Sequence, residues 1–211
     1  MKIAVYSSKG SAGKTPISAN IALDKEFCIG TNEAFHVYDQ LLPDNRLIAL
    51  QTEEAFPKAL VTEDIDIVFD LAGSISKLAH SMTSAFKMAD YVIVPIYNEY
   101  KSLVAGLNTI VQIQEYNKNI IVVATKLQKQ KNDTFKDNWK ESEDFKNIEK
   151  ALITKVGKGI PILPLKFSKA FDNIFEKQKS IKQLMENNPL AKFNYREVNK
   201  QFDELYNLIG I

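Results

Sequence analysis

Short apolar runs separated by longer amphipathic stretches constrain this chain more than any other feature. The runs cover residues 2–6, 27–30, 47–50, 65–70, 91–96, 119–124 and 161–165. Several are continuous, such as Ile67-Val68-Phe69 and Tyr91-Val92-Ile93-Val94. A strand with one wet face alternates, whereas a strand covered on both faces reads as an unbroken run. The intervening stretches 14–24, 76–88, 103–116, 134–156, 171–186 and 195–209 carry apolar residues at spacings of three and four, as in Leu103, Leu107, Ile110 and Ile113. Alternating strands and helices predict an α/β architecture of three layers, with a mostly parallel sheet flanked by helices. Residues 1–211 read as one domain, with no repeat and no low-complexity linker.

Composition excludes several classes. At 45% hydrophobic and a net charge of +1, the chain has the makeup of a folded protein. A single cysteine, Cys28, cannot build a disulfide framework or a four-cysteine metal site within one chain. His36 and His80 stand apart, without a second ligand at metal spacing. No apolar run approaches the roughly 20 residues that span a bilayer. The first residues enter a strand-like run without a signal-peptide layout. The expectation is a cytoplasmic protein.

The first strand–helix junction carries the strongest chemical signal: Lys9-Gly10-Ser11-Ala12-Gly13-Lys14-Thr15. Small residues let successive backbone N–H groups curl around phosphate oxygens, and the helix N-terminus adds free donors and positive dipole. Lys14 would reach the outer phosphates, and the Thr15 hydroxyl would ligate Mg²⁺. Pro16 falls in the first helical turn, where a missing N–H costs least. The strict pattern G-x-x-x-x-G-K-S/T fails because position 8 is Ser8.

With Lys9 at its start, the loop resembles the deviant Walker A motif K-G-G-x-G-K-S/T of the ParA/MinD family of P-loop ATPases. Ser11 replaces the middle glycine. Further segments match in family order. Asp70 ends the buried run 65–69 as the Walker B aspartate does, and Gly73 follows it. Ala89-Asp90-Tyr91-Val92-Ile93-Val94-Pro95 is similar to the partition-ATPase strand A-D-x-V-x-V-P. The run Ser102–Leu107 resembles the helix after that strand. Leu165-Lys166-Phe167-Ser168-Lys169-Ala170-Phe171 is similar to I-R-x-S-x-A-F. Together these segments resemble short ParA-type plasmid or chromosome partition proteins.

The resemblance implies a P-loop NTPase fold, ATP and Mg²⁺ as ligands, and an ATP-dependent homodimer in which Lys9 reaches the partner's nucleotide. It implies nucleotide contacts along residues 9–16, and metal contacts at Thr15 and Asp70. Adenine contacts are expected at Thr125 and Lys126, or at Leu165, Lys166 and Phe167. A ParB-like centremere-binding partner would stimulate hydrolysis. The family normally carries an Asp-x-Asp motif at the end of its second strand, and here Gly30 and Asn32 take those places. Asn32 would orient a water but cannot accept its proton, and Glu33 or Asp39 would have to substitute. Slow, partner-stimulated hydrolysis is therefore expected. The alternatives are a nucleotide-binding scaffold without turnover and, more remotely, a metabolic P-loop enzyme of the dethiobiotin-synthetase type.

Charge divides between the halves. Residues 1–100 hold 8 basic and 13 acidic side chains, and residues 101–211 hold 19 and 13. Lysines cluster at 126–140 and 166–182, five against two acids in each. Family members bind DNA non-specifically through such residues, so DNA binding and nucleoid association are expected. The tail 195–211 has apolar positions at helical spacing but lacks a cationic face, so it is expected to pack on the domain rather than on a membrane.

Overall fold

The computed structural model describes residues 1–50, 54–73, 79–131 and 133–211. Seven strands run β1 (Lys2–Val5), β2 (Cys28–Thr31), β3 (Leu47–Ala49), β4 (Ile67–Asp70), β5 (Tyr91–Ile96), β6 (Ile120–Leu127) and β7 (Ile162–Lys166). They form one sheet in the order β3-β2-β4-β1-β5-β6-β7, and every paired register is parallel. All seven predicted strands are therefore present. Eight helices accompany them among the described residues: α1 (Lys14–Asp24), α2 (Ala59–Thr62), α3 (Ala79–Met88), α4 (Tyr100–Ile113), α5 (Glu143–Lys155), α6 (Ala170–Lys177), α7 (Ile181–Met185) and α8 (Pro189–Ile209).

The continuous apolar runs have the expected physical reason. Alternate residues of each strand enter opposite cores. On one face Ala4, Phe69, Val92, Val94 and Val122 pack with Phe86 of α3, Ile110 of α4 and Ile148 of α5. On the other face Ile3, Val5, Val68, Ile93 and Ile121 pack with Ile17 and Ile21 of α1, Ile174 of α6 and Phe202 of α8. The tail lies in this second core, with Val198, Phe202, Leu205, Tyr206 and Ile209 all buried. No described helix is long and apolar enough to cross a membrane.

Three helix expectations change. The stretch 134–156 is helical only in its second half. A 3₁₀ turn at Trp139–Glu141 precedes Ser142, whose hydroxyl accepts the Phe145 N–H at 3.2 Å and starts α5. The stretch 171–186 is two helices, because Gln178 adopts a left-handed backbone and Ser180 with Gln183 forms a new capping box. The last helix begins earlier, where Asn188 accepts the Ala191 N–H ahead of Pro189. Residues 76–78 of the predicted stretch 76–88 lie outside the described residues, and α3 accounts for the remainder.

Gly30 in β2 is required by close approach. A Cβ there would lie 2.7 Å from a ring carbon of Phe69 and 2.9 Å from one of Phe56. Those two rings pack with centroids 4.7 Å apart, over the place where a side chain at position 30 would stand. Gly30→Ala should destabilise the protein by about 1–3 kcal/mol through overpacking, read as a lower denaturant midpoint. An unchanged midpoint would show that the ring pair yields freely.

Candidate functional site

β1 lies at the centre of the sheet, between β4 and β5. Loops at the carboxyl ends of such strands are where open α/β sheets bind ligands. The loop 7–13 leaves β1 and enters α1 with Ser11 at φ 60° and Gly13 at φ 99°. These left-handed residues let the backbone curl before the helix begins. The loop is anchored on three sides. Ser8 shares a hydrogen bond with the Thr109 hydroxyl of α4 at 2.9 Å. The Thr125 hydroxyl of β6 donates to the Ala12 carbonyl at 2.8 Å. Gly73 packs so closely that an added Cβ would stand 3.2 Å from the Ser7 carbonyl oxygen.

A cavity of about 510 Å³ opens beside this loop. It is lined by the loop and first helical residues 10–16, with Glu33 and Gly73. Leu165, Phe167 and Phe171 add apolar surface to its lining, with Thr125 and Lys126. Phe167 is 53% exposed, a free aromatic wall. Lys126 also has a left-handed backbone, φ 55°, at the irregularity that lengthens β6, and its ammonium lies 4.3 Å from the Tyr97 ring centre.

Asp70 is the electrostatic centre. Its carboxylate is wholly buried and accepts three hydroxyls: Tyr38 at 2.7 Å, Thr15 at 2.9 Å and Ser18 at 3.3 Å. Burial pushes its carboxyl up from 3.8 to about 6. The Tyr38 and Thr15 hydrogen bonds and the Lys14 charge oppose that rise, while Glu33 adds to it. Burial and the Asp70 charge in turn drive the Tyr38 phenol well above its ordinary range. Thr15 and Asp70 supply the hard oxygen donors that Mg²⁺ prefers, and they already touch, so this pair fits the ion.

The predicted residues divide. The structure brings together residues 10–16 with Thr125, Lys126, Leu165 and Phe167 around the cavity, and Asp70 beneath Thr15. Lys9 is half-buried and does not line it. Asn32 is 1% exposed with both amide atoms engaged, donating to Ser81 at 2.7 Å and accepting the Ala72 N–H at 2.7 Å. It ties the ends of β2 and β4 and the start of α3 together. Lys166 turns away: its ammonium holds Glu197 at 3.0 Å. Of the two candidate acids, Glu33 faces the cavity, whereas Asp39 is largely exposed beside His36.

Sequence reasoning missed Tyr38 and Ser18. Ser18 was recoverable, since it follows Thr15 by three residues on one helix face. Tyr38 opens a short 3₁₀ turn, Tyr38–Gln40, and carries no periodic signal. Two lysines of the basic clusters also have structural tasks. Lys129 donates to the carbonyls of Phe135 and Lys136, and Lys166 is paired as above. Among the described residues no group of three or more histidines, cysteines or acids is placed to hold a metal.

No protein-family model and no curated protein sequence matches the chain. Solved structures do. An ATP complex of an McdA variant from Cyanothece is 13% identical, covers 100% of this chain and 97% of its own, and gives a TM-score of 0.66. The cell-division ATPase MinD of Pyrococcus furiosus is 12% identical over 97% of this chain and 99% of its own, at 0.60. A putative plasmid partition protein of Borrelia burgdorferi bound to AMPPNP is 14% identical over 96% and 98%, at 0.54. At these identities the likeness is one of fold: the chain has the α/β fold of McdA, MinD and the ParA-type partition proteins.

The buried Asp70 gives a pH signature. Between its ordinary value of 3.8 and about 6, the unfolded chain has released the proton that the folded chain retains. Stability from this group is therefore greatest below about pH 3.8 and declines as pH rises to about 6. Above that the cost is constant, roughly 3 kcal/mol for such a shift. In chelator, Asp70→Asn should melt higher than the parent at pH 8, with the advantage shrinking on acidification toward pH 4. Equal melting temperatures at pH 8 would refute the burial argument.

Proposed function

We propose that this protein is an ATP-dependent, dimerising switch that partitions DNA cargo, with slow ATP hydrolysis stimulated by a ParB-like partner. The observation that carries this reading is the contact between Thr15 and Asp70 beneath the curled loop 7–13, beside a cavity that this loop lines together with Leu165, Phe167 and Phe171. The loop N–H groups and the buried Lys14 bind phosphate oxygens. The Phe167 and Leu165 end takes the adenine. Mg²⁺, held directly by Thr15 and through water by Asp70, neutralises charge on the transferring phosphoryl group. Ser18 and Tyr38 fix the Asp70 carboxylate so that one oxygen remains beside Thr15. The position of Lys9 outside its own chain's cavity supports its action on the partner's nucleotide. The fold shared with McdA, MinD and a plasmid partition protein supports the same class.

DNA binding falls to exposed lysines of the second half, chiefly Lys177, Lys179 and Lys182 around α6 and α7. The protein is cytoplasmic and nucleoid-associated on this reading.

Glu33 is the carboxylate left to position the attacking water, since Gly30 has no side chain and Asn32 is occupied. A second reading, a scaffold that binds ATP without turnover, is favoured by those same two positions. Glu33→Gln separates them. On the switch reading it lowers partner-stimulated turnover about 100-fold while leaving ATP affinity unchanged. If the parent shows no turnover with DNA and partner, the scaffold reading stands.

Lys14→Ala should weaken ATP binding about 100-fold in calorimetry, and undiminished binding would reject the phosphate site. Lys9→Ala should impair ATP-driven dimerisation in sedimentation more than it impairs ATP binding. DNA affinity of the ATP dimer should fall with salt at a log–log slope of about −0.9 per phosphate contact. Lys177→Glu with Lys179→Glu should flatten that slope, and an unchanged slope would place the DNA elsewhere.

A further inference from the structure

A second cleft, of about 360 Å³, lies on the outer side of the edge strand β7, away from the loop 7–13. Its floor is Pro164, one wall is the 3₁₀ segment around Trp139, and the other is the α8 stripe of Glu197, Lys200, Gln201 and Glu204. At positions i, i+3, i+4 and i+7 these four share one helix face.

Gln201 is the observation that points to a ligand. It is 6% exposed, and its side-chain oxygen accepts the Lys166 backbone N–H at 3.0 Å. That bond fixes which end of the amide is which, because a backbone N–H can only donate. The amide nitrogen Nε2 is therefore turned the other way. It is buried and has no hydrogen-bond partner. An orphaned buried donor costs free energy that an acceptor would recover. The group that belongs there presents an oxygen.

The surroundings define the rest of that group. Glu197 is already satisfied through one oxygen, which accepts from Lys166 and from the Trp139 indole, both at 3.0 Å. Burial pushes its carboxyl up, but those hydrogen bonds and the nearby Lys166 and Arg196 charges outweigh it and hold it below the usual range. Around this neutralised pair stand charges of both signs: Lys140 and Lys200, and Asp137 and Glu204. A simple anion would satisfy Gln201 but meet two carboxylates. A simple cation would leave Gln201 unpaired. A molecule carrying a carboxylate and an ammonium a few bonds apart meets both demands, and the cleft volume lies in the range of small-ligand sites.

We propose that this cleft binds a free amino acid as its zwitterion, with the α-carboxylate on Gln201 Nε2 and Lys200 and the α-ammonium on Glu204. The site is separate from the nucleotide cavity, and the inference does not rest on the reading of that cavity.

Trp139 is the chain's single tryptophan, so indole fluorescence reports on this cleft alone. The full chain is titrated without nucleotide against each common L-amino acid in the millimolar range. At least one should give a saturable change. Its decarboxylated amine and its deaminated acid should each bind at least about tenfold more weakly. Gln201→Glu keeps the acceptor for the Lys166 N–H and removes the donor, so it should weaken binding by at least about tenfold. Glu204→Gln and Lys200→Ala alter accessible side chains and keep the test decisive if Gln201→Glu does not fold; each should weaken binding severalfold. No saturable change with any amino acid, equal binding of the amine analogue, or unchanged affinity in every folded variant would overturn the proposal.

Discussion

The buried carboxylate of Asp70 is the interaction on which the rest of the site depends. It joins three parts of the chain that are distant in sequence: the end of β4, the first turn of α1 and the irregular segment after β2. The end of β4 supplies the carboxylate, α1 the Thr15 and Ser18 hydroxyls and the segment after β2 the Tyr38 hydroxyl, and among the described residues no cationic side chain is bonded directly to the carboxylate. An ionised group in so dry a place is costly, and neutral donors recover only part of that cost. The arrangement is held by the surrounding fold rather than by its own pairing energy. It leaves a carboxylate buried beside the first turn of α1, in contact with the Thr15 hydroxyl.

The sheet explains why these parts meet. The central position of β1 puts the loop 7–13 between neighbours on both sides. β4 delivers Asp70 and Gly73 from one side, α4 holds Ser8, and β6 reaches across with Thr125. Small residues make the approach possible: Gly73 lies against the carbonyls of Ser7 and Ser8, and Gly13 against Thr125. Farther out, alternate residues of β7 serve different cavities. Leu165 borders the cavity beside the loop 7–13, whereas Pro164 forms the floor of the outer cleft and Lys166 bonds to its wall.

Most of this fold was legible because its strands are covered on both faces, so that runs such as Ile67-Val68-Phe69 stand out from the helices between them. The loop was legible for a similar reason, since its chemistry is local and contiguous. What escaped was set by tertiary contacts. The break at Gln178 is a left-handed residue that is not glycine. Tyr38 reaches Asp70 from a segment without periodicity. Lys166 and Lys129 looked like free surface charge and are tied to Glu197 and to backbone carbonyls. Asn32 stands where the resemblance would put an acid, and its amide bonds to Ser81 of α3 and to the Ala72 N–H beyond β4. A side chain's type was readable from the sequence, whereas its partner was not.

Gly30 bears on the chemistry open to β2 as well as on its packing. An acid at that place in β2 would stand in the volume now filled by Phe56 and Phe69. A carboxylate at position 30 would need room from both rings at once, so the end of β2 closes that volume to any side chain and leaves Glu33, in the segment that follows, as the acid that lines the cavity beside the loop 7–13.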